Sequence, residues 1–319
     1  MDSGTGNSVM TRYAREAALL VSIAILAVIP AFSNPGFYRA SVFQGIILDN
    51  LSVLIAATGM TVVIVTAEID ISIAAQLAVC GVAAGSLSRV GLPIVGVVPA
   101  AIACGALLGL MNGVLVARLM VPSIVATLAT WVILENGLLW VTRGEWVQGV
   151  RSDFQWFGLT PGQGQIAFCV LAIAVFAVAA FVLARTRFGR RFYAVGCDHD
   201  AALRMKIHPD RVVLLAFVIL GALMGLAAVV HYCRFPSIET GAGRGLELKV
   251  IASVVVGGTV ISGGRGRLFG TLLGVGLLAM VGSVLAFTPL GATAERAVQG
   301  AIILLAVVAD KVMGGKAAA

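Results

Sequence analysis

The groups able to do chemistry in this chain are few and scattered. Four carboxylates, Asp49, Glu68, Asp70 and Glu135, fall inside or beside long apolar runs. An ionised group in such a run is costly and needs a role. Asp70, followed by Ser72, is placed to cap the N-terminus of the next helix, its carboxylate accepting from otherwise orphan backbone amides. Direct contact with a solute is its less favoured role. Asp49 with Asn50, and Glu135 with Asn136, lie about two turns inside their runs. There they suit a watery path, hydrogen bonds between helices or proton movement. Asn112, Thr127 and Thr130 add the hydrogen-bonding groups that a neutral, hydroxyl-rich solute needs.

Several chemistries are excluded by spacing. The glycine-rich stretch GGTVISGGRGRLFGTLLG, from Gly257 to Gly274, lacks the Lys-Ser/Thr pair of a phosphate-binding loop, because Arg267 is followed by Leu268 and Phe269. Gly264, Gly266 and Gly270 miss the dinucleotide spacing by one residue. The Gly-Gly-Lys at Gly314–Lys316 opens no helix. This chain is therefore expected to bind no cofactor. His199, His208 and His231 are too scattered for a metal site, and none of the five cysteines forms a CxxC pair. HExxH and GxSxG are absent as well, so no residue is assigned a catalytic role.

The elements that carry these residues are hydrophobic. The chain is 60% hydrophobic and 12% charged, with a mean hydropathy of +1.03. Soluble domains are about a quarter charged, so the composition is that of an all-α polytopic membrane bundle in one domain, 1–319. At roughly 20 apolar residues per crossing, ten spans are expected: Ala17–Phe32, Gly45–Thr66, Ile71–Leu87, Leu92–Ala117, Ser123–Val141, Ile166–Ala184, Val212–Val230, Leu246–Ile261, Leu268–Phe287 and Ala294–Ala309. The first could pass for a secretory signal after Arg12 and Arg15, but an uncleaved helix is preferred. With the N-terminus inside, fourteen of the 22 Lys and Arg residues fall in inside segments. That bias places both ends, 1–16 and 310–319, in the cytoplasm. The net charge of +7 is spread over short loops, which speaks against nucleic acid.

Three features suggest how the spans pack and move. GxxxG spacing recurs at Gly81/Gly85, Gly105/Gly109/Gly113, Gly221/Gly225 and Gly270/Gly274, stripping side chains from one face of each helix. The turn with Gly257, Gly258, Gly263, Gly264 and Gly266 is expected to be a tight hairpin with closely approaching backbones. Breaks at Thr66–Ala75 and at Gly257–Arg267 hint at two echoing halves, the pattern of interrupted segments along a transport pathway. The outside loop from Thr142 to Gln165 carries Trp146, Phe154, Trp156 and Phe157. These are expected to form an interfacial belt.

The cytoplasmic loop 186–211 is the most distinctive polar segment. Gly196 permits a turn, Asp198 can act as N-cap, and Ala201–Ile207 can form a short helix with Arg204 and Lys206 near its C-terminal end. Pro209 then stops it. Such a helix suits a lever for a soluble partner, with Gly196, Asp198, Ala201, Ala202, Arg204 and Ile207 as coupling residues.

Together these stretches resemble the inner-membrane permeases of bacterial ABC sugar importers of the ribose, arabinose and xylose type. GMTVVIVTAEIDIS (Gly59–Ser72) is similar to that family's Gly-Met-Thr run followed by Ile-Asp-Leu-Ser. Thr186, Gly189, Arg190, Tyr193, Ala194, Gly196, Ala201, Ala202 and Ile207 fit its loop pattern, ELKVIASVVVGGTVISGGRGRLFGTLLG (Glu247–Gly274) is the nearest match, and VPSIVATLAT (Val121–Thr130) extends the likeness. Departures stand at Ala67-Glu68, Ala74, Glu135, Lys206 and Lys249. Ala74 and Lys206 each replace a frequent glycine. The resemblance implies a permease dimer, of identical or related chains, working with a cytoplasmic ATPase that holds ATP and magnesium and with a periplasmic solute-binding protein. Recognition would then lie largely in the binding protein, and no strong sugar site is expected in the permease itself. An ion-gradient-driven transporter, with Asp49 and Glu135 as titrating groups, is the alternative.

Overall fold

The structure, a computed structural model, describes residues 16–30, 35–241, 243–288 and 291–315. Arg12, Arg15, Phe32 and Lys316 lie outside the described residues. The helices are α1 (Glu16–Pro30), α2 (Ala40–Val65), α3 (Ile73–Arg89), α4 (Ile94–Ala117), α5 (Ser123–Thr142), α6 (Pro161–Arg185), α7 (Arg187–Cys197), α8 (His199–Arg204), α9 (Pro209–Tyr232), α10 (Leu246–Val256), α11 (Leu268–Ala286) and α12 (Gly291–Gly315). Six of them, α2, α4, α5, α6, α9 and α11, are long and apolar enough to cross a membrane. Among the described residues the only β pairing is a single antiparallel bridge between Val147 and Ile238.

Helix α2 is the axis of the bundle. A helix that is apolar all round has no face for water and is packed on every side. Every residue of α2 from Leu51 onward is buried, with α6, α9, α10 and α11 around it. By contrast α4, α5 and α6 bury narrow stripes and leave apolar side chains such as Val95, Ile133 and Val178 exposed. Those outer faces suit hydrocarbon.

Glycine sets the closest contact. On α4, Gly105 and Gly109 lie against Gly221 and Phe217 of α9. A Cβ on Gly105 would collide with the Gly221 carbonyl, and one on Gly109 with that of Phe217. The GxxxG rows of α4 and α9 therefore pack on one another. The row on α3 works differently, because Gly81 and Gly85 make room for the side chains of Tyr232 and Ile238.

Two elements are interrupted. Between α2 and α3, residues 66–72 are unwound, and Ala67 is held at φ 68°. Helix α10 has 11 residues, about 16 Å at 1.5 Å per residue, roughly half of a hydrocarbon core. The expected span Leu246–Ile261 is thus corrected: the helix stops at Val256, where Gly257 and Gly258 begin the turn, with Gly258 at φ 101°. The hairpin itself is as tight as the glycines suggest. A Cβ on Gly270 would collide with the Gly257 carbonyl, and one on Gly274 with that of Ser253.

The aromatic loop is also corrected. Phe154 is fully buried, Trp156 stacks on Phe168 with ring centroids 5.6 Å apart, and Phe157 meets the same ring edge-on at 4.7 Å. The Trp156 amide donates to Cys233 O at 2.9 Å. The loop is a lid packed over one end of the bundle, and of its four aromatics only Trp146 is largely exposed. Consecutive left-handed residues, Trp156 and Phe157 at φ 52° and 58°, turn both rings inward.

Candidate functional site

The polar residues of the α2–α3 break form a buried knot. Asp70, Ser72, Gln76 and Asn112 have no solvent exposure. Asp70 Oδ1 accepts from the Ser72 amide at 2.8 Å and the Ser72 hydroxyl at 2.6 Å. Its Oδ2 accepts from Gln76 Nε2 at 2.9 Å and Asn112 Nδ2 at 3.1 Å. Both amide groups also donate to Ser72 Oγ, at 2.9 and 2.8 Å. Asp70 therefore does not cap α3 in the way expected, since it accepts from no backbone amide of that helix: it binds the amide of Ser72, the residue preceding α3, and ties α3 to α4. Thr127 and Ser123 of α5 hold the same break by its backbone, accepting from the Ile71 and Ile69 amides at 3.1 and 3.3 Å. The carbonyl oxygens of Gln76 and Asn112 remain buried without a partner.

Of the expected pathway residues, Asp70, Ser72, Asn112 and Thr127 are thus brought together. Thr130 is buried and bonds to the Thr127 carbonyl in its own helix. Asn50 and Asn136 likewise donate within their own helices, to Ile46 O and Val132 O. The two acids are paired: Asp49 accepts from Arg234 at 2.7 Å and Glu135 from Arg244 at 2.8 Å.

A second polar region is a cavity of about 250 Å³ bounded by α2, α9, α10, α12 and the loop before α10. Asp49, His231, Lys249, Glu295, Arg296 and Gln299 are among the groups lining it. Lys249 and Glu295 approach to 3.9 Å across it. From the sequence, Arg234, Arg244 and Arg296 count only among the eight Lys and Arg residues of outside segments, and Lys249 stands besides as a departure from the family pattern. No local spacing marks the pairs, since Asp49 and Arg234 lie 185 residues apart and Glu135 and Arg244 109 apart. Gln76 was missed too, although it stands four residues after Ser72 on a helix of small residues.

The third region is a junction of backbones at the opposite end of α2. Thr186 caps α7, accepting from the Gly189 amide at 3.0 Å. The buried face of this amphipathic helix, Gly189, Phe192, Val195 and Gly196, turns to the bundle. Gly196 is inside α7, not at a turn, which corrects the expectation. A Cβ there would collide with the Val65 carbonyl. The Gly264 amide donates to that carbonyl at 2.9 Å, Tyr193 donates its hydroxyl to Gly266 O at 3.0 Å, and a Cβ on Gly263 would press on Ala67. Helix α7, the α2–α3 break and the α10–α11 turn thus meet at one point.

Helix α8 follows directly. Asp198 accepts from the amides of Asp200 and Ala201 at 2.9 and 3.0 Å, bonds that hold its carboxyl below the usual range. The helix covers His199–Arg204, earlier than the expected Ala201–Ile207. It closes with Lys206 N on Leu203 O and Ile207 N on Ala202 O, a Schellman motif that places Lys206 in the left-handed region at φ 60°. Pro209 does not stop it but begins α9. Ala202 is buried, while Leu203 and Met205 are exposed apolar side chains beside it.

A bundle of apolar helices with a charged cavity, two interrupted elements and a polar helix pair at one end fits a multi-pass membrane protein. The family described as branched-chain amino acid transport system / permease component matches residues 42–307, and the chain belongs to that family. It is 32% identical to the ribose import permease protein RbsC of Haemophilus influenzae, over 99% of both chains. It is 33% identical to RbsC of Escherichia coli, over 92% of this chain and 91% of the relative. It is 31% identical to the autoinducer 2 import system permease protein LsrC of Escherichia coli, over 93% and 86%. No solved structure matches.

Proposed function

We propose that this chain is the translocation subunit of an ATP-driven importer for a monosaccharide or related polyol-like solute, in a bacterial inner membrane. The observation that carries the reading is the junction at Val65, Gly196 and Gly264. A segment that only linked two spans would have no reason to press its backbone against both interrupted elements. In this reading a partner ATPase, which holds ATP and magnesium, binds the face around Ala201, Ala202, Arg204 and Ile207. Its closure moves α7 and α8 together, and the junction passes that motion to the α2 end and the α10–α11 turn. The solute arrives from a binding protein at the lid of Phe154 and Trp156, and a second permease chain completes the pathway.

The topology that goes with this places all ten apolar segments in the bilayer as one domain, with both termini and the lever in the cytoplasm. Helix α10 occupies half a crossing, with the loop before it filling the other half. The unwound stretch before α3 is its counterpart in the opposite leaflet, consistent with two inverted halves. An ion-driven carrier finds less support, because Asp49 and Glu135 are each held by an arginine.

The test is uptake in proteoliposomes containing the chain, its ATPase and its binding protein. Uptake that needs ATP and both partners, and that ionophores leave unchanged, is expected. Accumulation by the chain alone under a proton or sodium gradient would overturn the reading.

A further inference from the structure

The cavity before α10 contains more hydrogen-bonding capacity than its own residues use. Gln299, 3% exposed, donates Nε2 to Glu295 at 3.0 Å, but its Oε1 is buried with no partner among the described residues. Arg296, on the same helix, lines the cavity and makes no ion pair within 4.0 Å among the described residues. The other charges are matched, Asp49 by Arg234 and Lys249 by Glu295. The surplus is therefore one amide acceptor and one guanidinium donor set, beside the positive N-terminal end of α10 at Gly245 and Leu246.

The solute this fits is small, neutral and rich in hydroxyls. A hydroxyl both donates and accepts, so it can satisfy Gln299 Oε1 and Arg296 at once. A zwitterion would find Arg296 for its carboxylate, but its ammonium would have to displace an existing ion pair, because Asp49 and Glu295 are already held by Arg234 and Lys249. The volume, about 250 Å³, falls below the roughly 300–1,000 Å³ of drug-sized pockets. We propose that this cavity is a permease-intrinsic way station for a monosaccharide, read by Gln299 and Arg296 and framed by Asp49, Lys249, Glu295 and the start of α10. This rests on the importer reading. It revises the expectation that recognition lies almost wholly in a binding protein, but only in part, since a site on a conduction path must bind weakly enough to release.

The experiment is saturation-transfer NMR on the full chain in lipid nanodiscs, with D-ribose, D-xylose, D-galactose and L-leucine as separate probes. At least one sugar is expected to give a saturable signal and leucine none. Gln299→Leu should weaken the apparent sugar affinity by about tenfold, the loss of one hydrogen bond. Should Gln299→Leu fail to fold, Arg296→Gln serves instead, because its guanidinium has no ion pair to lose. No sugar signal, a signal from leucine alone, or a sugar signal unchanged in both variants overturns the site. Uptake measured on the same preparations separates the two readings. ATP-driven uptake without a sugar signal removes the way station and keeps the importer. A Gln299-dependent signal without ATP-driven uptake does the reverse.

Discussion

Replacing Asp70 tests whether the buried knot is held by shape or by charge. In Asp70→Leu, Gln76 and Asn112 keep Ser72 Oγ as an acceptor, but the Ser72 amide and the Ser72 hydroxyl lose the only acceptor shown for them. Two buried donors orphaned at about 1–3 kcal/mol each put the cost at about 2–6 kcal/mol. In Asp70→Asn the retained oxygen still serves Ser72. Gln76 and Asn112 can turn their amides to present carbonyl oxygens that lack partners in the native knot. What remains is the weakening of charge-assisted bonds, about 1–2 kcal/mol. The assay is the folded fraction in a detergent-to-SDS titration, followed by ATP-driven uptake on the surviving protein. Leu should shift the midpoint far more than Asn, and uptake per folded chain should survive in Asn. Equal loss of uptake in both would mean that the negative charge itself is needed. A Leu variant as stable as the native chain would refute the knot as a structural element.

Other perturbations read other parts of the fold. Gly196→Ala drives a methyl into the Val65 carbonyl and should abolish ATP-driven uptake with the chain still inserted, while Gly162→Ala, which meets open space, should leave uptake intact. Gly109→Ala should cost about 1–3 kcal/mol in the same SDS titration, because the Phe217 backbone cannot swing aside. Lys206→Gly relieves a left-handed residue of about 1 kcal/mol, and hydrogen exchange of the α8 amides should slow accordingly.

Composition and periodicity made the apolar runs legible, and the glycine rows anticipated the tightest contacts, because both signals are local. The residues at Thr66–Ser72 and Gly257–Arg267 were readable as breaks for the same reason. What could not be read was which partner each polar group would find. Asp49 and Arg234 are 185 residues apart in sequence, and Glu135 and Arg244 are 109 apart, so nothing in their neighbourhoods marks the pairing. Gly196 looked like a turn residue because a glycine's two uses, positive φ and close approach, are indistinguishable in a string of letters. Helix α10 was overread for a related reason: the apolar run continues past the point where Gly257 ends the helix. Lys206, which replaces a frequent glycine of the family the chain resembles, and Ala67, in the departing pair Ala67-Glu68, both adopt a left-handed backbone.

The burial of α2 from Leu51 onward also bears on how the chain is made. Synthesis at about 5–20 residues per second puts roughly 10–40 s between the emergence of Thr61 and that of Thr271, 210 residues later. During that interval α3 to α10 emerge one by one, so at its start α2 has little but lipid for company. Its hydroxyls are provided for: Thr58 and Thr61 donate to the carbonyls of Leu54 and Ala57 four residues back, at 2.8 and 2.7 Å. Neither needs a neighbour to be tolerated in hydrocarbon. Thr61 then gains a contact with Thr271, 2.9 Å away, when α11 arrives. The buried half of the innermost helix is thus composed as a segment that can first stand alone in lipid, and its self-satisfied hydroxyls suit its order of birth as much as its final place.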